Sequence, residues 1–272
     1  MKFFRNLTIG QYIHKDSLIH KLDPRIKILS TISIIVSVFL IGSWFGFLII
    51  GLYLFLDIIL SKVHPKFVLK GIKPLLLIII LTLLIHFFTT QGEVIYKLWF
   101  LKITREGVSR GLFIAVRLFL LIMATSWLTL TTSPIALTDG IENLLSILKF
   151  TKIPAHEIAM MMTIALRFIP TLMEETEKII KAQMARGADF ESGNIVKRIK
   201  NMLPIIIPLF INAFHRADEL ATAMEARCYR GGKGRTHYRT LAIKRIDQIF
   251  LFITLLIIVA VFIISSNIVI VQ

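Results

Sequence analysis

The chain has 272 residues, 56% of them hydrophobic and 18% charged, with a mean hydropathy of +0.76 and a formal charge of +15. That balance excludes an ordinary water-soluble domain, where apolar residues make up about 45–50%, and assigns the basic excess to loops held on the cytoplasmic side of a membrane rather than to nucleic-acid binding. The single cysteine, Cys228, excludes an internal disulfide, and no Cys/His spacing points to a metal site.

Residues 28–41 imitate the apolar core of a signal peptide, but no small-x-small site follows, so the segment is read as retained. No residue from 28 to 56 is charged, which is too long for one ordinary crossing of about 20 residues. Lys15, Lys21, Arg25 and Lys27 precede it and Lys62, Lys66, Lys70 and Lys73 follow, so both flanks are cytoplasmic and the segment is a hairpin of two spans, about 26–43 and 45–61, turning near Gly42 to Gly46. Asp57 lies toward the inner end of the second span, where a partner or water is available. A third span covers about 74–90, with His86 as a packing residue. Residues 91–110 then lie at the interface, as Tyr96 and Trp99 indicate. A fourth returns over about 111–132, with Arg117 near enough to its end to anchor at the interface or pair within the bundle.

Residues 133–245 differ in kind. Apolar residues recur there at helical spacing, interleaved with charge and broken by Pro134, Pro154, Pro170, Pro204 and Pro208. Ser133 caps a first amphipathic helix opened by Pro134 and ending near Lys149. A second runs from about Pro154 to Ala185, and a third from about Ile195 to Arg227, with kinks expected at the internal prolines. Glu174, Glu175 and Glu177 spread over a wet face, whereas Met160, Met161 and Met162 form adaptable apolar surface. Residues 246–272 form a fifth, C-terminal span, which puts the N-terminus in the cytoplasm and the C-terminus outside. The expected fold is therefore an all-α integral membrane protein with about five transmembrane helices and a cytoplasmic or membrane-proximal coupling domain of long bent amphipathic helices.

The second and third amphipathic helices end alike, in Ala185-Arg186-Gly187 and Ala226-Arg227-Cys228. Arginine in a last turn offsets the negative end of the helix dipole, and this alone accounts for either copy. Two copies on two long helices point further. A guanidinium on a small-residue tip can enter a groove and hydrogen-bond bidentately, so paired tips imply a two-lobed cytoplasmic partner.

Leu22-Asp23-Pro24-Arg25-Ile26-Lys27, Arg167-Phe168-Ile169-Pro170 and Ala182-Gln183-Met184-Ala185-Arg186-Gly187 resemble the transmembrane (T) component of energy-coupling factor transporters, and the resemblance covers nearly the whole chain. It implies a plasma-membrane, non-catalytic subunit of an ABC-type importer for vitamins or metals. Its implied partners are two ATPase subunits, which bind the ATP, and a membrane-embedded substrate-binding S component. Ala185, Arg186, Gly187, Ala226, Arg227 and Cys228 would then be the ATPase-coupling residues, with Cys228 where glycine is more usual. No cofactor of the chain itself is implied.

The chain carries no nucleotide loop of its own. Gly231-Gly232-Lys233-Gly234 has the wrong spacing, and glycine follows the lysine, so it reads as a basic turn. An alternative from another class is an integral membrane enzyme acting on lipid or isoprenoid phosphates. It would need clustered acids, and the glutamates at 174–177 are the nearest approach.

Overall fold

Side-chain caps set where the helices begin. Asp23 accepts the backbone N–H of Arg25 at 2.9 Å and Pro24 takes the first helical position, so α1 (Pro24–Leu40) starts with its orphan amides met. Ser43 does the same for α2 (Trp44–Leu60) through the amide of Gly46 at 3.3 Å. The computed structural model describes residues 12–98, 101–147, 154–190, 194–231 and 241–269. Trp99, the helix end expected near Lys149 and most of the glycine-rich turn after Gly231 lie outside the described residues.

The further elements are α3 (Pro65–Ile72), α4 (Leu76–Thr89), β1 (Val94–Leu98), β2 (Leu101–Thr104), α5 (Arg105–Thr131), α6 (Pro134–Ile147), α7 (Ala155–Ala185), α8 (Ile195–Ala226) and α9 (Arg245–Val269). The protein is thus nearly all helical. Three of these elements were not expected. The short α3 follows α2 after a 120° bend, and β1 and β2 pair antiparallel where an interfacial segment was expected. The alternation of Lys97 and Lys102 with apolar neighbours suits a strand pair, but each run is too short to be distinctive. α5 also begins six residues before the expected span, because Thr104 accepts the amide of Gly107 at 3.1 Å and Glu106 sits in the first turn.

Contacts divide the chain into two units, with the division falling within α6. One unit combines Gly10–Gly140 with α9. Within it α5 packs against α1, α2, α3 and α4, while α9 packs against α1 and α2. Its core holds Trp127, Ile34, Val38, Ile50, Leu54, Ala124 and Val261. Gly107 and Gly111 allow α5 to approach α4 closely: a Cβ on Gly107 would lie 2.7 Å from the His86 carbonyl oxygen, and one on Gly111 3.2 Å from the Phe87 ring. Large apolar side chains face outward all along this unit, among them Phe39, Leu48, Phe55, Leu77, Ile80 and Phe252. Such a surface is covered by lipid in a membrane protein. Among the described residues, two helices, Arg105–Thr131 and Arg245–Ser265, are long and apolar enough to cross a bilayer by themselves, and α4 is apolar but has only 14 residues.

Polar groups tie the ends of this unit together. Asp247 accepts the amide of Lys244 at 2.7 Å, capping α9, and also the amide of Asp23 at 2.9 Å, at the start of α1. Lys27, read from the sequence as one of the basic cytoplasmic flank residues, is 1% exposed and donates to the Thr131 carbonyl at 3.0 Å and the His20 carbonyl at 3.3 Å. Asp57, expected where a partner or water is available, is 2% exposed and has Tyr53 beside it. Arg117 pairs within the bundle, as the sequence allowed. It donates to the Ile41 carbonyl at 3.0 Å.

The second unit contains α7 and α8, which pack against each other. At 31 and 32 residues they extend about 46–48 Å at the usual rise of about 1.5 Å per residue. α7 continues through Pro170, and α8 through Pro204 and Pro208.

Candidate functional site

The two helix ends singled out in the sequence close by the same backbone device. At the end of α7, Gly187 has φ +85°, its amide donates to the Met184 carbonyl at 2.9 Å, and the Ala188 amide donates to the Gln183 carbonyl at 3.0 Å. At the end of α8, Cys228 has φ +56°, its amide donates to the Glu225 carbonyl at 2.8 Å, and the Tyr229 amide reaches the Met224 carbonyl at 3.0 Å. Both are Schellman closures, in which a left-handed residue just past the helix satisfies carbonyls that would otherwise be orphaned. Cys228 therefore takes the conformation that glycine takes at the other tip.

This closure decides what the tips present. Arg186 and Arg227 each occupy the position between the last helical residue and the left-handed one. Ala185, Arg186, Gly187, Ala226, Arg227 and Cys228 are all exposed. Neither guanidinium has a hydrogen-bond or ion-pair partner among the described residues. Each guanidinium thus keeps its five donors for another molecule, and the alanine before it puts only a methyl group beside it.

A cross-brace that sequence reasoning missed joins the two helices behind the tips. Glu175 on α7 pairs with Arg216 on α8. The pair is partly buried, at 19% and 32% side-chain exposure, so Glu175 does not belong to a wet face as expected. Phe168, Glu175, Asn212, His215 and Arg216 line a cavity of about 600 Å³ in the groove between α7 and α8. Glu177 remains on the surface with Lys181. The signal available in the sequence was weak, because opposite charges on two helices identify a pair only once the register between the helices is known.

Toward its N-terminus, α8 carries an exposed apolar stripe at helical spacing: Val196, Ile199, Leu203, Ile206, Phe210 and Phe214. α7 adds Met161, Met162 and Ile169. Each helix therefore joins an apolar flank at one end to a cationic tip at the other. Among the described residues, no group of three or more His, Cys, Asp or Glu side chains gathers.

The family model described as CbiQ, cobalt transport protein, matches residues 15–238, a stretch that includes both tips. A protein of Ruminiclostridium cellulolyticum named energy-coupling factor transporter transmembrane protein EcfT is 55% identical over 250 residues, 92% of this chain and 94% of that one. This chain belongs to the T-component family of energy-coupling factor transporters. Proteins of the same name in Thermosediminibacter oceani and Bacillus subtilis are 55% and 48% identical, covering 89% and 87% of this chain and 92% and 89% of theirs. The family is thus the one that the sequence motifs resembled. T components are transmembrane parts of a transporter rather than enzymes, which sets aside the alternative of an enzyme acting on lipid phosphates.

Proposed function

We propose that this T component couples ATP hydrolysis by two cytoplasmic ABC-type ATPases to substrate release by a membrane-embedded S component, for uptake of a vitamin or a metal. The observation that carries the proposal is the pair of matching tips. Two long helices end in the same exposed Ala-Arg sequence, closed by the same backbone device, with both guanidinium groups unpartnered. Each arginine enters a groove on one ATPase, where the planar fork bonds carboxylates or backbone carbonyls. Closure of the ATPase pair on ATP displaces both tips. The helices transmit the displacement to their apolar flanks, and the methionines and aliphatic residues there supply an adaptable contact for the S component.

The chain sits in the plasma membrane with its N-terminus in the cytoplasm and its C-terminus outside, crossing at about 26–43, 45–61, 74–90, 111–132 and 246–272. The intervening block, 133–245, forms the coupling domain. The presence of two compact units, bounded near residues 140 and 240, supports this partition. α1 and α2, at 17 residues each, reach the lower limit of a crossing helix. α4, at 14 residues, spans about 21 Å and requires local thinning of the bilayer.

The test is affinity purification of the tagged protein from its own membranes in mild detergent. Two ABC-type ATPase chains should accompany the unaltered protein. Arg186→Glu combined with Arg227→Glu should reduce their recovery by at least about tenfold, since each truncated or reversed charge in a buried pair costs roughly 2–5 kcal/mol, and should abolish uptake while leaving membrane insertion intact. Full recovery and unchanged uptake in the double variant would refute the assignment.

A further inference from the structure

The transmembrane unit has a second polar centre, at the end remote from Asp23 and Asp247. The close of α1, the start of α2, the last turns of α4 and the first turns of α5 surround an open cavity of about 930 Å³. Its charge is of one sign. Arg110 and Arg117 line it together with His86, Thr89 and Ser109, and no carboxylate is among the lining residues. Seven residues apart on α5, the two arginines share a face and are separated by about 10 Å along the axis.

Arg117 is held in place before any ligand arrives. Its guanidinium lies 5.9 Å from the centre of the Phe47 ring and 5.2 Å from that of Phe113. One Nη2 donor is spent on the Ile41 carbonyl at the end of α1. Its Nε is buried without a partner. A guanidinium with an unmet buried donor, inside a bilayer-spanning unit and with no carboxylate among the cavity's lining residues, is costly unless an anion offsets its charge. Arg110 is exposed at the start of α5 and supplies a second cation nearer the membrane surface.

From this geometry we propose that the cavity binds the phosphodiester headgroup of an anionic phospholipid. Two features favour a lipid over a free anion. Trp44 lines the cavity, and indole rings favour the headgroup level of a bilayer. Ile85, which also lines it, is 51% exposed and continues into the outward apolar face of α4 at Leu81, Leu84 and Phe88, along which an acyl chain can lie. The phosphate sits between the two guanidinium groups, and the headgroup hydroxyls meet Thr89 and Ser109. The proposal depends on the membrane placement of this unit and not on the coupling role of Arg186 and Arg227, which lie in the other unit.

Native mass spectrometry of the full chain in mild detergent tests it with three probes: dioleoylphosphatidylglycerol, dioleoylphosphatidylcholine and inorganic phosphate. Phosphatidylglycerol should be retained at one equivalent and at least about tenfold more tightly than phosphatidylcholine, whose choline cation would meet Arg110. Arg110→Gln should remove most of that preference. Arg117→Lys, which keeps the charge but loses the fork, should weaken phosphatidylglycerol binding by a similar factor. Arg110 is exposed, so its variant remains informative even if Arg117→Lys folds poorly. Equal retention of the two lipids would overturn the proposal, as would a preference unaffected in Arg110→Gln. Inorganic phosphate that displaces phosphatidylglycerol at lower concentration than the lipid itself would replace the lipid with a free anion and overturn it equally.

Discussion

Cys228 occupies a backbone position that ordinarily selects glycine. Its φ of +56° places the Cβ against the following carbonyl, a strain of about 1–2 kcal/mol that Gly187, at +85°, does not bear. The side chain is exposed, so little packing offsets the strain. Cys228→Gly should therefore firm the end of α8. The amide of Tyr229, bonded to the Met224 carbonyl, should exchange its hydrogen about fivefold more slowly for each 1 kcal/mol gained. Cys228→Val should have the opposite effect, because a branched Cβ is worse in the left-handed region. An exchange rate unchanged in both variants would show that the cysteine conformation costs nothing. The tips themselves were legible from residue order, since small residue, arginine and closing residue are adjacent in the chain. The strain at Cys228 was not, because φ is a property of the folded backbone.

At the scale of elements, α7 and α8 act as a pair only if something holds their mutual register. Glu175 and Arg216 supply one such link, partly shielded from water. Arg216→Glu should place like charges in the groove and lower the thermal midpoint of the purified protein by about 2–4 °C per 1 kcal/mol lost. Adding Glu175→Arg should restore much of the loss, whereas an exposed pair such as Glu177 with Lys181 should change the midpoint by less than about 1 °C when reversed. Failure of the double reversal to recover any stability would separate the two residues energetically. The helices carrying this pair were readable from apolar spacing and from Pro154, Gly187 and the Ala-Arg endings. α3 and the β1–β2 pair were not, because short runs of mixed character satisfy several periods at once.

In the transmembrane unit, the first and last described helices are joined by one carboxylate. Asp247 accepts the amide at the start of α1 and caps α9 while 2% exposed. Asp247→Ala should leave two amides without partners and cost about 2–3 kcal/mol. Asp247→Asn, which keeps an accepting oxygen, should cost less. The check is the denaturation midpoint of the full chain, and equal midpoints for the two variants would contradict the role given to the carboxylate. Lys27 works in the same sense, joining α1 to the end of α5 through the Thr131 carbonyl.

The membrane class, the family, the two long amphipathic helices and their paired tips were determined by the sequence itself, because each rests on composition, on periodicity or on residues that are neighbours in the chain. Tertiary structure alone decided that Lys27 is buried, that Asp247 reaches Asp23, that Glu175 meets Arg216, and that Arg117 and Arg110 share a cavity without a carboxylate. The reason is physical. A charged residue next to an apolar run can reach water or snorkel to it, or be drawn into the bundle by an orphaned carbonyl on another helix. Which of these occurs depends on a partner dozens to hundreds of residues away.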